Sequence, residues 1–410
     1  MRRLSTAVVL VAAAFLLPAC VGHTDDATNL TATSATLNAH GVATDGSARA
    51  FFRWGTSSNN LTNSTPGATY PANVEGPHAE TITGLSPSTT YYFRACAVDN
   101  AGTLCAELHH FKTLASNGDA VVAAAGDIGD DTPSPNGQDE TGAIVASIAP
   151  NKVLILGDNA YDDGLLSEYN ANYKPWWGAP LNVDLGGPNG FGDITRPALG
   201  NHDILNDGEG AYDFFNGEYT TSGGATVNLR YGVAGLRGQG YYSFDAGSWR
   251  LIALNSRNGG TVDQTQLDWL ARVVAQNPKP CLLAYWHHPR WTSHDGGIAN
   301  DPDMASIWTR LWSASDPSKR ADLILNGHVH YYERMARQNL TGGADSNGMR
   351  QLIVGTGGIE TTNANLINPR SEVVLQEHGV LKLTLKANSA TGQFLDTAGN
   401  VDDSFTEPCH

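Results

Sequence analysis

The pattern of hydrophobic and polar positions divides the chain into two parts. Between residues 27 and 114, short runs alternate apolar and polar residues, Gly, Asn, Ser and Pro separate them, and no long stretch has helical periodicity. This pattern is typical of a small all-β sandwich. We expect five of its strands at residues 34–39, 48–54, 80–82, 91–98 and 109–113.

After a polar linker at residues 115–118, continuous apolar runs end abruptly in polar clusters. Such runs are typical of strands that are buried on both faces, and we place them at residues 121–125, 152–156, 196–199, 281–286 and 321–325. Helical periodicity at residues 138–148 and 264–276 separates some of them. The second part is therefore predicted to be an α/β domain. We place the sandwich at 24–115, the α/β domain at 119–402 and a C-terminal tail at 403–410.

Each of the five predicted α/β strands is followed by side chains that can bind metals. These are Asp127, then Asp158 and Tyr161, then Asn201 and His202, then His287, then His328 and His330. A single Asp after a strand is more often a turn former or a helix cap. Five clusters at the carboxyl ends of strands are harder to explain in that way, and we expect them to meet at one sheet edge. His328 and His330 are two residues apart, so both rings can face one site if the chain is extended there.

These residue types fit the hydrolysis of phosphate esters. The reaction needs a nucleophile, neutralised charge and a stabilised leaving group, and two metal ions about 3.5–4 Å apart can supply all three. Carboxylate and phenolate oxygens suit a hard ion, and imidazole suits Zn or Fe. We therefore expect two metal ions and a phosphate ester substrate.

The ordered motifs Gly126-Asp127-Ile128-Gly129, Gly157-Asp158-Asn159-Ala160-Tyr161, Gly200-Asn201-His202-Asp203, His287 and Gly327-His328-Val329-His330 resemble those of calcineurin-like metallophosphoesterases. The resemblance spans residues from about 119 to 400 and points to the purple acid phosphatase branch. Many relatives carry a histidine ligand where Gly129 stands, and Tyr161 matches the tyrosine that replaces it in this branch. The resemblance implies a two-sheet α/β metallophosphoesterase sandwich.

The resemblance also implies a role for each site residue. Asp127, Tyr161 and His330 would hold a first metal, Fe(III). Asn201, His287 and His328 would hold a second metal, which would be Fe(II), Zn or Mn, and Asp158 would bridge the two. His202 would contact the phosphate, and His294 is the candidate for a further phosphate-facing histidine. His288 is expected to point away from the site.

The activity implied is the hydrolysis of phosphate monoesters by a metal-bound hydroxide. Two alternatives stay open: a phosphodiesterase on the same fold, and a catalytically silent surface-binding protein. The first alternative shares the metal site, because the walls of the pocket decide the substrate. The second would be favoured by the loss of a ligand, and the motifs retain all of them.

Residues 85–94, Leu-Ser-Pro-Ser-Thr-Thr-Tyr-Tyr-Phe-Arg, are similar to the corner and following strand of fibronectin type III domains. In related sandwiches a tyrosine hydroxyl ties this corner to the backbone, and Tyr91 is the matching residue. The resemblance implies a fibronectin type III-like sandwich. It would act as a spacer or packing partner, or else as a substrate- or wall-binding module.

The N-terminus, residues 1–20, is typical of an export signal. Arg2 and Arg3 precede an apolar run at residues 7–17, which is short for a membrane span. Residues 17–20, Leu-Pro-Ala-Cys, also resemble a bacterial lipobox, in which Cys20 would be lipidated. We expect a secreted or cell-surface protein that contacts a membrane only if Cys20 is lipidated.

Four further cysteines, Cys96, Cys105, Cys281 and Cys409, predict two disulfides in an exported chain, with metal binding as the rival interpretation. Cys96 and Cys105 flank a turn and would face each other in a hairpin. The remaining bond would then join Cys281 to the C-terminus. The net charge of −16 makes a bulk nucleic-acid partner unfavourable, although bound metals could create a local positive site. The sequence does not indicate an oligomeric state.

Overall fold

The computed structural model describes residues 23–40, 47–71, 76–100, 102–130, 137–178, 192–220, 226–228, 231–256, 262–294, 301–312, 316–364 and 366–410. The predicted export signal at residues 1–20, including Cys20, lies outside the described residues. Within them, no helix has the length and apolar character needed to cross a bilayer.

The first part of the chain is a β-sandwich of two sheets. One sheet has the order β1-β2-β6, and the other has the order β4-β3-β7-β8, with β5 paired to β3 and β9 paired to β7. The strands are β1 His23–Thr28, β2 Ser34–His40, β3 Ala48–Gly55, β4 Asn63–Ser64, β5 Ala68–Tyr70, β6 His78–Thr83, β7 Thr90–Val98, β8 Thr103–Cys105 and β9 His109–Lys112. The five strands predicted from alternation are confirmed to within two residues at either end.

The sandwich core and its corner follow from that alternation. Leu37, Phe52 and Phe93 lie on inward positions of β2, β3 and β7 and are fully buried. The Ser86 backbone N–H donates a 2.9 Å hydrogen bond to the Tyr91 hydroxyl, which ties the corner before β7 to the start of that strand. The predicted tyrosine corner is therefore present. A disulfide joins Cys96 to Cys105 across the β7–β8 hairpin, and we call it the sandwich disulfide.

The second part of the chain is built from two larger sheets and two small hairpins. The first sheet has the order β12-β11-β10-β24-β25-β26, and the second has the order β17-β18-β19-β20-β22-β21-β23. The strands are β10 Ala120–Ala125, β11 Lys152–Leu156, β12 Thr195–Ala198, β13 Glu218–Thr220, β14 Thr226–Asn228, β15 Tyr231–Gly232, β16 Gly235–Leu236, β17 Tyr242–Ala246, β18 Trp249–Ala253, β19 Cys281–Tyr285, β20 Leu323–Asn326, β21 Tyr332–Met335, β22 Arg350–Val354, β23 Ser371–Leu375, β24 Gly379–Leu385, β25 Ser389–Asp396 and β26 Val401–Pro408.

Helices and short helical turns connect these strands. The α-helices are α1 Gln138–Ile148, α2 Leu166–Glu168, α3 Lys174–Trp177, α4 Glu209–Asn216, α5 Gln264–Ala275 and α6 Ala305–Trp312. A π-helix at Tyr169–Tyr173 joins α2 to α3, and 3-10 turns lie at Gly192–Ile194, Leu205–Gly208, Pro302–Met304 and Pro317–Lys319. The two helices predicted from periodicity, α1 and α5, are confirmed.

Alternation along β19 explains why the second sheet lies between two apolar layers. Leu283 and Tyr285 belong to the core that this sheet shares with the first sheet. Leu282 and Ala284 point the other way, into a second core that the apolar faces of α5 and α6 complete. Both faces of the strand are thus buried, which is the reason for its continuous apolar sequence.

One expectation about these strands is wrong. The five strands that precede the polar clusters do not share one sheet edge: β10, β11 and β12 lie in the first sheet, and β19 and β20 lie in the second. The strands of each group are parallel to one another, and the two sheets pack face to face. The polar clusters therefore converge from the strand ends of two facing sheets.

The C-terminus is tied to the second sheet. Residues 401–408 form β26, which pairs with β25, so most of the segment predicted as a tail is strand. A disulfide joins Cys409 to Cys281 at the start of β19, and we call it the C-terminal disulfide. Both disulfides predicted from the sequence are confirmed.

Candidate metal centre

The polar clusters meet where strands of both sheets end. Hydrogen bonds between the sheets hold the ends in place: Gly126 N donates to Val354 O at 2.9 Å, and His287 Nδ1 donates to Leu156 O at 2.9 Å. Close packing here requires glycine before the ligand candidates. A Cβ on Gly157, which has a φ of 92°, would lie 2.6 Å from His287 Nδ1, and one on Gly200 would lie 2.1 Å from Asp158 Oδ1.

Three of the candidates adopt a backbone conformation that L residues rarely take. The φ angles of Asp127, Asp158 and His328 are 61°, 48° and 71°. This conformation is unfavourable for a non-glycine residue and persists where the surrounding structure imposes it, as it often does at functional sites. Each of the three turns its side chain out of a strand end into the shared centre.

The first group of donors is Asp127, Tyr161 and His330. The Tyr161 hydroxyl donates to Asp127 Oδ1 at 3.0 Å, and His330 Nε2 lies 3.5 Å from the same oxygen. The second oxygen, Oδ2, accepts from the His328 backbone N–H at 2.8 Å. His330 Nδ1 donates to Glu360 O at 3.1 Å, so its Nε2 is directed into the site.

The second group of donors surrounds His287, which is fully buried. Its Nε2 atom lies 3.1 Å from Asp158 Oδ2, 3.2 Å from Asn201 Oδ1 and 3.2 Å from His328 Nδ1. Asp158 Oδ2 also lies 3.2 Å from the Tyr161 hydroxyl. Asp158 therefore touches both groups, which is the position expected of a carboxylate that bridges two ions.

The spacing and charge of these donors fit cations. Two donors at about 2.05 Å from one tetrahedral ion lie roughly 3.3 Å apart, which is close to the separations around His287. Burial, Asp127 and Asp158 raise the pKa of Tyr161 well above its usual value, so the phenol keeps its proton beside two carboxylates. A hard cation would reverse this preference and make the phenolate a ligand.

The imidazoles respond to the same carboxylates. Burial would lower the pKa of His287, but the adjacent Asp158 and Asp127 raise it to about 9. Burial and the neighbouring His287 lower the pKa of His328 to about 4, which keeps that ring neutral, as metal binding requires.

His202 and His294 lie at the rim of the centre. The His202 backbone N–H donates to Asp158 Oδ1 at 2.8 Å, its Nδ1 donates to Asp162 O at 2.5 Å, and its ring is 4.5 Å from that of Tyr161. His294 is half-buried, lines a cavity of about 470 Å³ together with His330, and has a buried Nδ1 without a hydrogen-bond partner among the described residues. Nδ1 of His202 is thus held by a hydrogen bond, and Nδ1 of His294 has no such bond from the described residues.

The expectation for His288 is wrong. Its side chain is buried, its ring centroid lies 4.4 Å from that of His328, and its Nδ1 lies 2.7 Å from Ser256 Oγ. The chain turns after β19, so the alternation of an extended strand does not apply here. One ring nitrogen of His288 lies within 4.8 Å of ring nitrogens of His287 and His328, so His288 belongs to the same cluster.

Asp203 is a residue of the site to which sequence reasoning gave no role. Its fully buried carboxylate accepts from Asn159 N at 2.9 Å, Asn159 Nδ2 at 2.9 Å, Gly200 N at 2.8 Å and the Tyr169 hydroxyl at 2.6 Å. It therefore joins the loop that carries Asp158 to the loop that carries Asn201. Its position in the Gly-Asn-His-Asp motif was the available signal.

Comparisons with known proteins identify the family and the fold of this chain. The family model described as calcineurin-like phosphoesterase matches residues 120–332. Purple acid phosphatase 15 of Arabidopsis thaliana is 25% identical over 309 residues, which cover 68% of this chain and 53% of that protein. The solved structure of a purple acid phosphatase from yellow lupin (Lupinus luteus) seeds superposes with a TM-score of 0.61 at 19% identity, over 95% of this chain and 74% of the other.

A further similarity covers about a quarter of the chain. Over 102 residues, which cover 23% of this chain and 34% of the other, the chain is 28% identical to a probable cyclic nucleotide phosphodiesterase of Psychrobacter arcticus.

The fold and the donors at its strand ends define a metallophosphoesterase, and the chain belongs to the calcineurin-like phosphoesterase family. The Arabidopsis relative named above is a purple acid phosphatase, and the lupin purple acid phosphatase has the same fold as this chain. The chain spans about half the length, 53%, of the Arabidopsis relative named above.

Proposed function

We propose that this protein is an exported dimetal phosphatase that hydrolyses phosphate monoesters. The observation that carries the proposal is the convergence of donors from five strand ends of two sheets. Ligand atoms of Asp127, Asp158 and His287 all lie within 4.8 Å of one another, although the residues are far apart in sequence. Buried carboxylates so close together need a positive partner, and two metal ions would provide it.

Each donor has a proposed role. Asp127, Tyr161 and His330 would hold the first metal, and Asn201, His287 and His328 would hold the second. Asp158 would be shared by the two metals, in keeping with its contacts to both groups of ligand candidates. The phenolate of Tyr161 favours Fe(III) at the first position, and the amide and imidazole donors of the second suit Fe(II), Zn or Mn.

The metals would supply a water of lowered pKa and would neutralise the charge of the phosphoryl group. The chain's own groups bind and orient the ester. The His202 ring, held through Nδ1 by Asp162 O, presents Nε2 to the phosphate and donates a proton to the departing oxygen. His294 would contact the phosphate from the side of His330, with which it lines a cavity.

A phosphodiesterase on the same fold is the second candidate. The short match to a probable cyclic nucleotide phosphodiesterase favours this candidate, because that protein and the purple acid phosphatases are both similar to this chain. The two candidates share the donors described above and differ only in the walls around them.

The experiment is a metal analysis of the purified protein combined with kcat/KM for an aryl monoester and the matching aryl diester. We expect about two metals per chain and a preference for the monoester. His287→Ala should lose both metal and activity. His40→Ala, a half-exposed histidine of the sandwich that pairs with Asp25, is the matched control and should keep both. A chain without bound metal would overturn the proposal, and a preference for the diester would select the second candidate.

We also propose that residues 1–20 are an export signal and that residues 24–115 and 119–402 are separate domains, the first of them fibronectin type III-like. Two disulfides support export, because such bonds persist in oxidising compartments. The mass of the mature N-terminal peptide tests the export signal. An uncleaved Met1 in the exported fraction would contradict it, and a lipid-modified Cys20 would identify the lipoprotein form.

A further inference from the structure

A cavity of about 430 Å³ lies at the opposite end of the first sheet from the metal centre. Lys152, the first residue of β11, lines it, whereas Asp158 follows the last residue of the same strand. Asp26 and Leu30 contribute the sandwich side of the cavity, and the turn between β17 and β18 closes another side. The cavity is thus formed where the sandwich meets the α/β part of the chain.

The charge of this cavity is opposite to that of the whole protein. Four cationic side chains line it, and only two carboxylates do: the cations are Lys152, Arg196, Arg250 and Lys279, and the carboxylates are Asp26 and Asp245. The chain as a whole carries a net charge of −16. A local excess of positive charge on such a protein is a feature that an anion would recognise.

Three of the four cations already have partners. Arg196 forms an ion pair with Asp26 and donates to Thr195 O at 2.6 Å. Arg250 Nε lies 2.7 Å from Asp245 Oδ1, and Lys279 Nζ donates to Gly247 O at 2.9 Å.

Lys152 differs from the other three. Its side chain lines the cavity and only 8% of the residue is exposed, yet no hydrogen bond or ion pair reaches its ammonium group from the described residues. Burial, together with the nearby Arg196 guanidinium, lowers the pKa of Lys152 to about 8, and the charges of Asp26 and Asp193 oppose this shift only in part. Both carboxylates are ion-paired elsewhere, Asp26 with Arg196 and Asp193 with His110. A buried cation beside another cation is unfavourable unless a negative group contacts it. The cavity provides the room for such a group.

We propose that this cavity binds a tetrahedral oxyanion, inorganic phosphate or the phosphate group of a small organic molecule, with Lys152 as its central ligand. Arg250 and Lys279 stand at the more open side and would contact the remaining oxygens. The volume of about 430 Å³ exceeds the roughly 30 Å³ that one water occupies in the liquid, so the site has room for more than bare phosphate. The bound anion would join the sandwich to the α/β part through charges on both sides.

The test is the stoichiometry of binding, measured by calorimetry on the full metal-loaded chain. The probes are inorganic phosphate and phenylphosphonate, whose P–C bond a phosphatase does not hydrolyse. Lys152→Met removes the ammonium group and keeps most of the apolar side chain. We expect this substitution to lower the number of bound oxyanions by one and to remove the rise in Tm that oxyanion binding at this site produces. The value of kcat/KM for an aryl phosphate should stay unchanged.

Lys382→Met is the matched control, since Lys382 is a half-buried lysine of β24 in the same sheet and does not line the cavity. If Lys152→Met does not fold, the double variant Arg250→Gln with Lys279→Met should weaken binding at this site by about tenfold or more. Stoichiometry equal to wild type in Lys152→Met would overturn the proposal, as would unchanged affinity at this site in the double variant. So would an equal loss in Lys382→Met.

The two probes distinguish the source of the oxyanion. Binding of phosphate alone would identify the free ion as the ligand, and tighter binding of the phosphonate would identify a phosphorylated organic molecule. The result is independent of the proposed catalytic function. The purified protein could contain no metal while Lys152→Met still binds one phosphate fewer than wild type. That result would refute the dimetal phosphatase and support the cavity site.

Discussion

Replacing His202 by Ala tests whether this residue gives a proton to the leaving group or only binds the phosphate. The structure makes His202 the better candidate of the two rim histidines, because its Nδ1 is held by Asp162 O at 2.5 Å and its ring lies against Tyr161. An aryl phosphate expels a stable phenolate and needs little help from an acid. An alkyl phosphate expels a basic alkoxide and needs much.

The size of the effect follows from comparing the two esters. Loss of phosphate binding slows both by the same factor, so the ratio of the two losses isolates proton transfer. General acid catalysis contributes about 10²–10⁴-fold, which corresponds to roughly 2.7–5.4 kcal/mol of activation free energy. We expect kcat/KM for the alkyl ester to fall by that factor more than kcat/KM for the aryl ester.

The assay measures both kcat/KM values in wild type, His202→Ala, His294→Ala and the control His40→Ala, with metal content determined for each. Equal losses on the two esters in His202→Ala would refute proton donation and leave a binding role. If His294→Ala selectively lowers kcat/KM for the alkyl ester instead, His294 is the proton donor. Loss of metal from either rim variant would mean that the residue is a ligand.

Three further predictions concern the metals, the disulfides and the contact between the two parts of the chain. Tyr161→Phe should remove a visible charge-transfer band and lower iron content; a wild-type protein without iron or a band would contradict the Fe(III) assignment. Replacing Cys281 and Cys409 by Ser should lower the free energy of unfolding in urea by roughly 5 kcal/mol, because this disulfide joins residues with a sequence separation of 128. Removing the sandwich disulfide, with a separation of 9, should lower it by about 2.6 kcal/mol. Equal losses for the two disulfides would refute the argument from loop length. Burial would raise the pKa of Asp26, but the adjacent Arg196 guanidinium holds it well below its usual value. Asp26→Asn should therefore lower Tm at neutral pH, and the difference in Tm from wild type should shrink as the pH falls below about 4. A difference in Tm that is constant with pH would mean that the charges of Asp26 and Arg196 do not contribute to stability.

Local pattern was sufficient where neighbours in sequence decide the structure. The alternation of β2, β3 and β7, the helical period of α1 and α5, and the turn between Cys96 and Cys105 depend on residues a few positions apart, and the structure confirms each. The order of the motifs from Asp127 to His330 was likewise enough to indicate the family, because each motif is short and continuous. The ligand roles of those residues stay predictions until metal is measured.

The sequence could not show how the strand ends come together, because that depends on contacts between distant residues. β10 pairs with β24, and the two sheets that carry the ligand candidates meet through the core between them and through hydrogen bonds at their strand ends. For the same reason the pattern misplaced His288, which turns back onto His328 after its strand ends, and gave no role to Asp203. The position of Lys152 at the start of an apolar strand also did not reveal that its ammonium has no hydrogen bond or ion pair from the described residues. The sequence determined the elements and the chemistry that they carry, and only the tertiary structure decided which of these groups face one another, because packing across sheets does not follow any local period.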